Sequence, residues 1–117
     1  MAATKGTHRT APRLPRRPPD RRDVLIERLR RALPDLQRRY PIKTLGLFGS
    51  WARNDAAPES DVDLLVELAR PIGLQFVTLA DELEKILQTR VDLVSRGGVK
   101  PPYLKEILKD LIYVAAV

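Results

Sequence analysis

Apolar residues recur at helical spacing in three parts of the chain, and they predict helices over residues 21–33, 74–88 and 101–110. In the first segment, Leu25 and Leu29 share a face opposite the arginines, and we expect that face to cover a sheet. Pro34 predicts an end or a kink, after which residues 35–40 continue the helix for about a turn. In the second segment, most apolar side chains fall on one side: Leu74, Val77, Leu79, Leu83 and Leu87.

Three shorter apolar runs favour strands, at residues 42–48, 62–68 and 90–95. The polar stretch 51–60 predicts a turn of helix followed by a loop. The apolar chain end after residue 110 predicts a short strand or a packed terminus. Helices therefore alternate with strands, which indicates an α/β (α+β) fold with a small mixed sheet flanked by helices.

The composition excludes several kinds of site. The chain has no cysteine and one histidine, His8, which excludes disulfides, thiolate metal sites and multi-histidine zinc sites. No apolar run approaches the ~18 residues of a membrane span, and the N-terminal residues show no apolar segment typical of a secretory signal. We therefore expect a cytoplasmic protein that does not contact membranes.

The net charge of +6 is concentrated at one end of the chain. Residues 1–22 carry seven basic side chains and one acidic side chain, whereas residues 23–117 carry 14 of each sign and sum to zero. Residues 1–20 are also rich in proline and poor in large apolar side chains, so they cannot bury enough surface to offset the entropy of ordering. The sequence predicts a disordered basic tail over 1–20, able to bind nucleic acid, and one domain over 21–117.

Candidate chemistry is concentrated around the first two predicted strands. Gly49 and Ser50 follow the first strand, and after ten further residues Asp61 and Asp63 open the second. Alternation along a strand puts these two carboxylates on one face, about 7 Å apart along the backbone, where they would repel each other without a cation. Asp92 of the third strand joins them if the strands are neighbours. Three carboxylates suit two Mg²⁺ or Mn²⁺ ions about 3.5–4 Å apart, as in phosphoryl transfer.

The Gly-Ser turn completes a pattern that resembles a known family. Gly49 lets a phosphate approach the backbone closely, and Ser50 offers a hydroxyl and neighbouring N–H groups. The order G-S-x10-D-x-D after an apolar strand, with a later strand Asp, resembles the polymerase-β-type nucleotidyltransferase superfamily. LFGSWARNDAAPESDVDLLVEL followed by RVDLVS is similar to its minimal nucleotidyltransferase (MNT) branch, over about residues 22–115. The resemblance implies a polymerase-β-like nucleotidyltransferase fold.

The resemblance also implies a role for each matching residue. Gly49 and Ser50 would hold the triphosphate of the nucleotide. Asp61 and Asp63 would bind the metal ions. Asp92 would bind the catalytic metal and help to activate the attacking hydroxyl.

Arg53 matches a basic position often found after the Gly-Ser pair, and the resemblance implies that it contacts the nucleotide. The sequence departs from the family at Asn54 and Asp55, where a Gly-Glu pair is common. The implied reaction moves a nucleoside monophosphate, AMP from ATP, onto a hydroxyl with release of pyrophosphate and with two Mg²⁺ ions. MNT proteins resemble the antitoxin half of HEPN/MNT toxin–antitoxin pairs, which implies a HEPN toxin partner and AMP transfer to one of its tyrosines.

Two other functions stay open from the sequence. The domain could be a non-catalytic antitoxin that neutralises a toxin by contact while the basic tail binds nucleic acid, although the three retained aspartates argue against this. It could also be a transferase acting on tRNA or on a small molecule.

Structural roles also compete for some residues. Asp92 could pair with Arg90 or Arg96, and Arg53 could be a solvated surface charge. The larger aromatic side chains are predicted to pack rather than to act in chemistry: Trp51, Tyr103 and Tyr113.

Overall fold

The structure of the protein, a computed structural model, describes residues 22–114. The predicted tail at 1–20 and the chain end at 115–117 lie outside this range. Within it, no helix is both long and apolar enough to cross a membrane. The elements are α1 Arg22–Arg39, β1 Ile42–Phe48, α2 Gly49–Arg53, β2 Val62–Leu68, α3 Gln75–Leu87, β3 Val91–Ser95, a 3-10 turn Arg96–Gly98, α4 Pro101–Asp110 and β4 Ile112–Tyr113.

The four strands form one mixed sheet in the order β3-β2-β1-β4. β1 runs antiparallel to β2 and to β4, whereas β2 and β3 run parallel to each other. The β2–β3 pairing places the second and third predicted strands side by side, with Asp63 directly opposite Asp92. The predicted fold class, a small mixed sheet with flanking helices, is confirmed.

One face of the sheet carries the main core. Leu47 of β1 and Leu64 of β2 are cross-strand partners on this face, and both side chains are fully buried. α1 and α3 pack against each other and against the sheet. Leu25 and Leu29 of α1 are fully buried in the same cluster, which confirms the predicted covering face.

α1 continues through Pro34 to its end at Arg39. The predicted continuation after the proline is confirmed, and the alternative that the helix ends at Pro34 is wrong. Leu36, beyond the proline, is 1% exposed, and its packing keeps the second half of the helix against the core. The end of α1 is also bound to α3. Glu82 accepts hydrogen bonds of 2.8 and 2.7 Å from the Arg39 guanidinium and one of 2.6 Å from the Tyr40 hydroxyl. These contacts stabilise the turns that follow Pro34.

The N-terminal end of α3 differs from the prediction. Leu74 precedes the helix and is 90% exposed, and Val77 in the first turn is also exposed. The buried stripe uses a spacing of four residues: Leu79, Leu83 and Leu87. Val77 lies two residues before that stripe, which rotates it about 200° around the helix axis and away from the sheet.

The second face of the sheet is covered in part by the C-terminal segment. Leu111, just after α4, fills the space over Gly46 of β1, where a Cβ would lie 3.1 Å from the Leu111 Cγ. Tyr103 and Tyr113 are exposed, so the prediction that they pack is wrong. Trp51 is 6% exposed, and its predicted packing role is confirmed.

Candidate active site

The first part of the site is the turn between β1 and α2. Gly49 has φ of +77°, a left-handed conformation that glycine adopts without a steric penalty. A Cβ at this position would collide with Oδ2 of Asp63 and would lie 3.1 Å from its Cγ. The turn therefore lies against the β2 carboxylate, and only glycine accommodates both the backbone conformation and the contact.

Two backbone hydrogen bonds end the five-residue helix α2 just after Arg53. The Asp55 N–H donates to the Ser50 carbonyl at 3.0 Å, and the Asn54 N–H donates to the Trp51 carbonyl at 3.2 Å. Asn54 has φ of +67°, which explains why asparagine serves at a position where the family commonly has glycine. Asn54 thus takes a left-handed conformation that asparagine tolerates better than most residues.

The three predicted carboxylates lie around one end of β2. Asp61 immediately precedes the strand, and Asp63 is its second residue. Asp92 is the second residue of the parallel strand β3 and stands opposite Asp63. Neighbouring strands are about 4.8 Å apart, so the side chains of this pair lie next to each other on the same face. The condition that the sequence set for Asp92, that the second and third strands are neighbours, is met by this register.

The electrostatics of the group centre on Asp63. Burial, the largest cause, and the charges of Asp92 and Asp61 together raise the pKa of the Asp63 carboxyl to about 6, against a decrease from Arg53. Among residues 22–114, no ion pair engages any of the three aspartates. The alternative pairing of Asp92 with Arg90 or Arg96 is therefore not observed. The site concentrates negative charge that its own side chains do not neutralise.

Arg53, the last residue of α2, lies beside this group but is already paired. Its Nη1 donates to Oδ2 of Asp110 at 2.9 Å, and its Nε donates to Oδ2 of Asp55 at 3.3 Å. The Arg53 side chain is 48% exposed. Asp110 was not predicted as a site neighbour, because 57 residues separate it from Arg53 and no local pattern reveals a contact at that separation.

Two further contacts hold α2 in place. The Arg22 Nη1 donates to the Ala52 carbonyl at 2.5 Å, which joins the start of α1 to α2. The Trp51 indole N–H donates to the Ser60 carbonyl at 3.1 Å, which joins α2 to the loop that leads to Asp61. α2 therefore connects the Gly49 turn to the loop before β2, and its contact with α1 fixes it to the rest of the domain.

The donor set fits a hard divalent cation. Asp61, Asp63 and Asp92 supply only carboxylate oxygens, the ligands that Mg²⁺ and Mn²⁺ prefer. A cation would also relieve the repulsion that contributes to the raised pKa of Asp63. Within the described residues, no three potential ligands are already gathered into a metal-binding cluster.

Comparison with known proteins defines the class. Residues 29–114 match the nucleotidyltransferase domain family. The chain therefore belongs to this family of enzymes, and the resemblance seen in the sequence is confirmed.

Particular relatives narrow the comparison. The chain is 44% identical over 88 residues to a Methanocaldococcus jannaschii protein named provisionally as a protein adenylyltransferase, covering 74% of this chain and 90% of that one. It is 38% identical over 81 residues to protein adenylyltransferase MntA of Thermococcus cleftensis, covering 68% of this chain and 82% of that one.

Solved structures share the fold. One, described provisionally as a minimal nucleotidyltransferase, superposes with a TM-score of 0.68 at 34% identity and covers 80% of this chain and 95% of that one. A second contains a tri-AMPylated HEPN toxin of Shewanella oneidensis with its MNT antitoxin. It has a TM-score of 0.61 at 18% identity and covers 82% of this chain and 73% of that one, which shows likeness of fold alone.

Proposed function

We propose that this chain is a Mg²⁺-dependent protein adenylyltransferase that moves AMP from ATP onto a tyrosine hydroxyl of a HEPN-type toxin. The observation that carries the proposal is the contact of three features in one place. The Gly49 turn lies against Asp63, and Asp63 lies beside Asp92 on the neighbouring strand. A phosphate-binding turn next to paired carboxylates is the arrangement that nucleotidyl transfer requires.

The turn would hold the nucleotide. Because Gly49 has no side chain, a phosphate oxygen can approach the backbone closely. The half-buried Ser50 would donate its hydroxyl to the triphosphate. Arg53 would add a positive charge on the same side of the site. These contacts would hold the triphosphate in one orientation during the transfer.

The carboxylates would hold the metal ions. Asp61 and Asp63 are two residues apart at the start of β2, and their carboxylates would hold a shared cation. Asp92 supplies a third carboxylate from β3. Bound Mg²⁺ would neutralise charge that develops on the phosphates and lower the pKa of the attacking hydroxyl.

The transfer forms one bond and breaks one. The acceptor oxygen attacks the α-phosphorus of ATP, and the bond between that phosphorus and the bridging α–β oxygen breaks. Pyrophosphate leaves with that oxygen, and AMP stays on the acceptor. Asp92, which is exposed on the edge strand β3, would help to activate the acceptor hydroxyl and take up its proton.

A protein acceptor suits this geometry. β3 is an edge strand and Asp92 is exposed, so a large partner can bring a side chain to the site without displacing another element. The domain is small and has no separate acceptor-binding domain among its described residues. The name of the Thermococcus relative and the AMPylated HEPN toxin of the Shewanella complex support AMP as the group and a HEPN protein as the acceptor.

The test compares two labels. The chain is mixed with a candidate HEPN-domain acceptor, with tRNA and with ATP labelled at either the α- or the γ-phosphate, in Mg²⁺ or in EDTA. Transfer of AMP predicts that the HEPN protein gains the α-label in Mg²⁺ only, on tyrosine. Gain of the γ-label would indicate a kinase, and no label on protein but label on added tRNA would favour the alternative of an RNA-directed transferase.

A further inference from the structure

Arg53 connects the candidate site to the C-terminal part of the domain. Arg53 is the last residue of α2, and Gly49, the first residue of the same short helix, lies against Asp63. The Arg53 guanidinium donates to Asp110, the last residue of α4, and to Asp55 in the following loop. One cation therefore stands between the site carboxylates and two carboxylates outside it.

The pair with Asp110 is the shorter of the two contacts and the more enclosed. The Nη1 to Oδ2 distance is 2.9 Å and Asp110 is 28% exposed, whereas the Asp55 contact is 3.3 Å and Asp55 is 59% exposed. The hydrogen bond to Asp110 is also the largest cause of the raised pKa of Arg53. Asp110 is therefore the main partner that any phosphate would have to replace.

Asp110 is held in position by the sheet. The next residue, Leu111, packs over Gly46 of β1, and Ile112 pairs with Leu47. β1 ends one residue before Gly49, so Asp110 is fixed relative to the turn that would bind phosphate. Its carboxylate cannot move far when a ligand arrives, whereas the long, half-exposed Arg53 side chain can.

We propose that Asp110 is a positioning residue that retains Arg53 and competes with the nucleoside triphosphate for it. In the absence of nucleotide, Asp110 keeps the guanidinium beside α4. A triphosphate carries several charges and can accept hydrogen bonds from the fork of N–H groups, so it draws Arg53 away from a single partly exposed carboxylate. Nucleotide affinity is thereby set in part by a residue that never touches the nucleotide. This inference rests on the proposed function.

The experiment measures binding rather than transfer. A non-hydrolysable ATP analogue with Mg²⁺ is titrated into the full chain by calorimetry, with thermal unfolding as a check on folding. Asp110→Asn should bind the analogue roughly 3- to 5-fold more tightly, the size expected for release from an exposed ion pair. Glu106→Gln is the matched control. It removes one negative charge from the same helix, but Glu106 pairs with Lys109 and not with Arg53. It should change affinity less than twofold.

A double variant tests whether Asp110 acts through its ion pair with Arg53 or through its negative charge alone. Arg53→Gln should weaken binding roughly tenfold, and adding Asp110→Asn to it should have no further effect. Unchanged or weaker binding by Asp110→Asn, or the same gain in the absence of Arg53, would overturn the inference while leaving the proposed function standing. A wild-type chain that binds no nucleotide at all would overturn both.

Discussion

Gly49 and Asp63 form a single unit, because the backbone of the first lies against the carboxylate of the second. A Cβ on Gly49 would collide with Oδ2 of Asp63, and φ at Gly49 is +77°. The turn after β1 and the carboxylate at the start of β2 therefore depend on each other. A change in either one displaces the other, so the proposed phosphate and metal positions cannot vary independently.

Gly49→Ala should reduce both stability and nucleotide binding. The left-handed conformation alone costs about 1–2 kcal/mol for a side chain, and the collision with Asp63 adds to it. Gly73→Ala is the matched control, because Gly73 has φ of +58° but no atom within 4 Å of a Cβ. Urea unfolding should show the larger loss for Gly49→Ala, and only this variant should bind ATP more weakly. Equal losses of stability with unchanged ATP affinity in both would remove the proposed role of the turn.

The elements of the site were predictable because they depend on local patterns. The alternation around Asp61 and Asp63 and the strand containing Asp92 are evident from the sequence. The register that sets Asp63 opposite Asp92 needed the structure, because local periodicity does not show which strands pair. The contact of Arg53 with Asp110 was hidden for the same reason.

Other differences arise where tertiary packing outweighs local preference. Proline lacks the N–H that continues a helix, so Pro34 predicts an end or a kink. The burial of Leu36 and the binding of Arg39 by Glu82 keep α1 intact beyond it. Leu74 was assigned to an apolar face, but the helix begins after it. Neither outcome follows from the residues of the segment alone.

Asp63 should destabilise the metal-free fold at neutral pH. Its pKa rises from 3.8 in the unfolded chain to about 6 in the folded one, so the folded state resists ionisation. The resulting loss of folding stability is absent below pH 3.8, grows between pH 3.8 and about pH 6, and is complete above pH 6. By linkage it reaches on the order of 1–3 kcal/mol. Asp63→Asn should therefore raise the free energy of unfolding at pH 7 relative to wild type, with little difference at pH 4.

Asp92→Asn provides the second arm of that measurement. It removes a neighbouring charge that raises the pKa of Asp63. The wild-type penalty should then shrink, so the gain from Asp63→Asn at pH 7 should be smaller in the Asp92→Asn background. If Asp63→Asn raised the free energy of unfolding equally at pH 4 and pH 7, ionisation of Asp63 would not be what destabilises the wild-type fold.

The bond between α1 and α3 should give the protein part of its resistance to acid. Hydrogen bonds from Arg39 and Tyr40 lower the pKa of Glu82 from 4.5 to about 2. The stabilisation is fully present above pH 4.5 and is lost as the pH falls toward 2. Glu82→Gln should cost about 1 kcal/mol at pH 7, allowing for partial exposure. Stability measured between pH 5 and pH 2 should fall less steeply for Glu82→Gln than for wild type.

Glu27→Gln is the comparison for this network. Within residues 22–114, Glu27 pairs only with exposed arginines of its own helix, Arg30 and Arg31. Its replacement should change stability by less than about 0.5 kcal/mol. Losses of the same size in both variants would contradict a special role for Glu82.

Removal of residues 1–20 should leave AMP transfer and thermal stability nearly unchanged. The site residues all lie within residues 22–114, and α1 begins at Arg22. The same truncation should weaken any binding of nucleic acid and flatten its dependence on salt, because residues 1–22 supply the net charge of the chain. Removal of residues 1–22 should lower the melting temperature, because it also deletes the Arg22 contact to Ala52. A folded 1–20 truncation that no longer transfers AMP would place the tail in the site.

Adenylyl transfer should depend on Asp63 acting together with its neighbouring carboxylates. The most direct test is intact-protein mass spectrometry of the HEPN-domain partner after incubation with ATP, Mg²⁺ and either wild type, Asp63→Asn or Glu67→Gln. Glu67 is on the same strand and the same face as Asp63 but pairs with Lys43 at the far end. We expect AMP on the partner with wild type and Glu67→Gln, and none with Asp63→Asn. AMP transfer by folded Asp63→Asn at the wild-type rate would contradict the account.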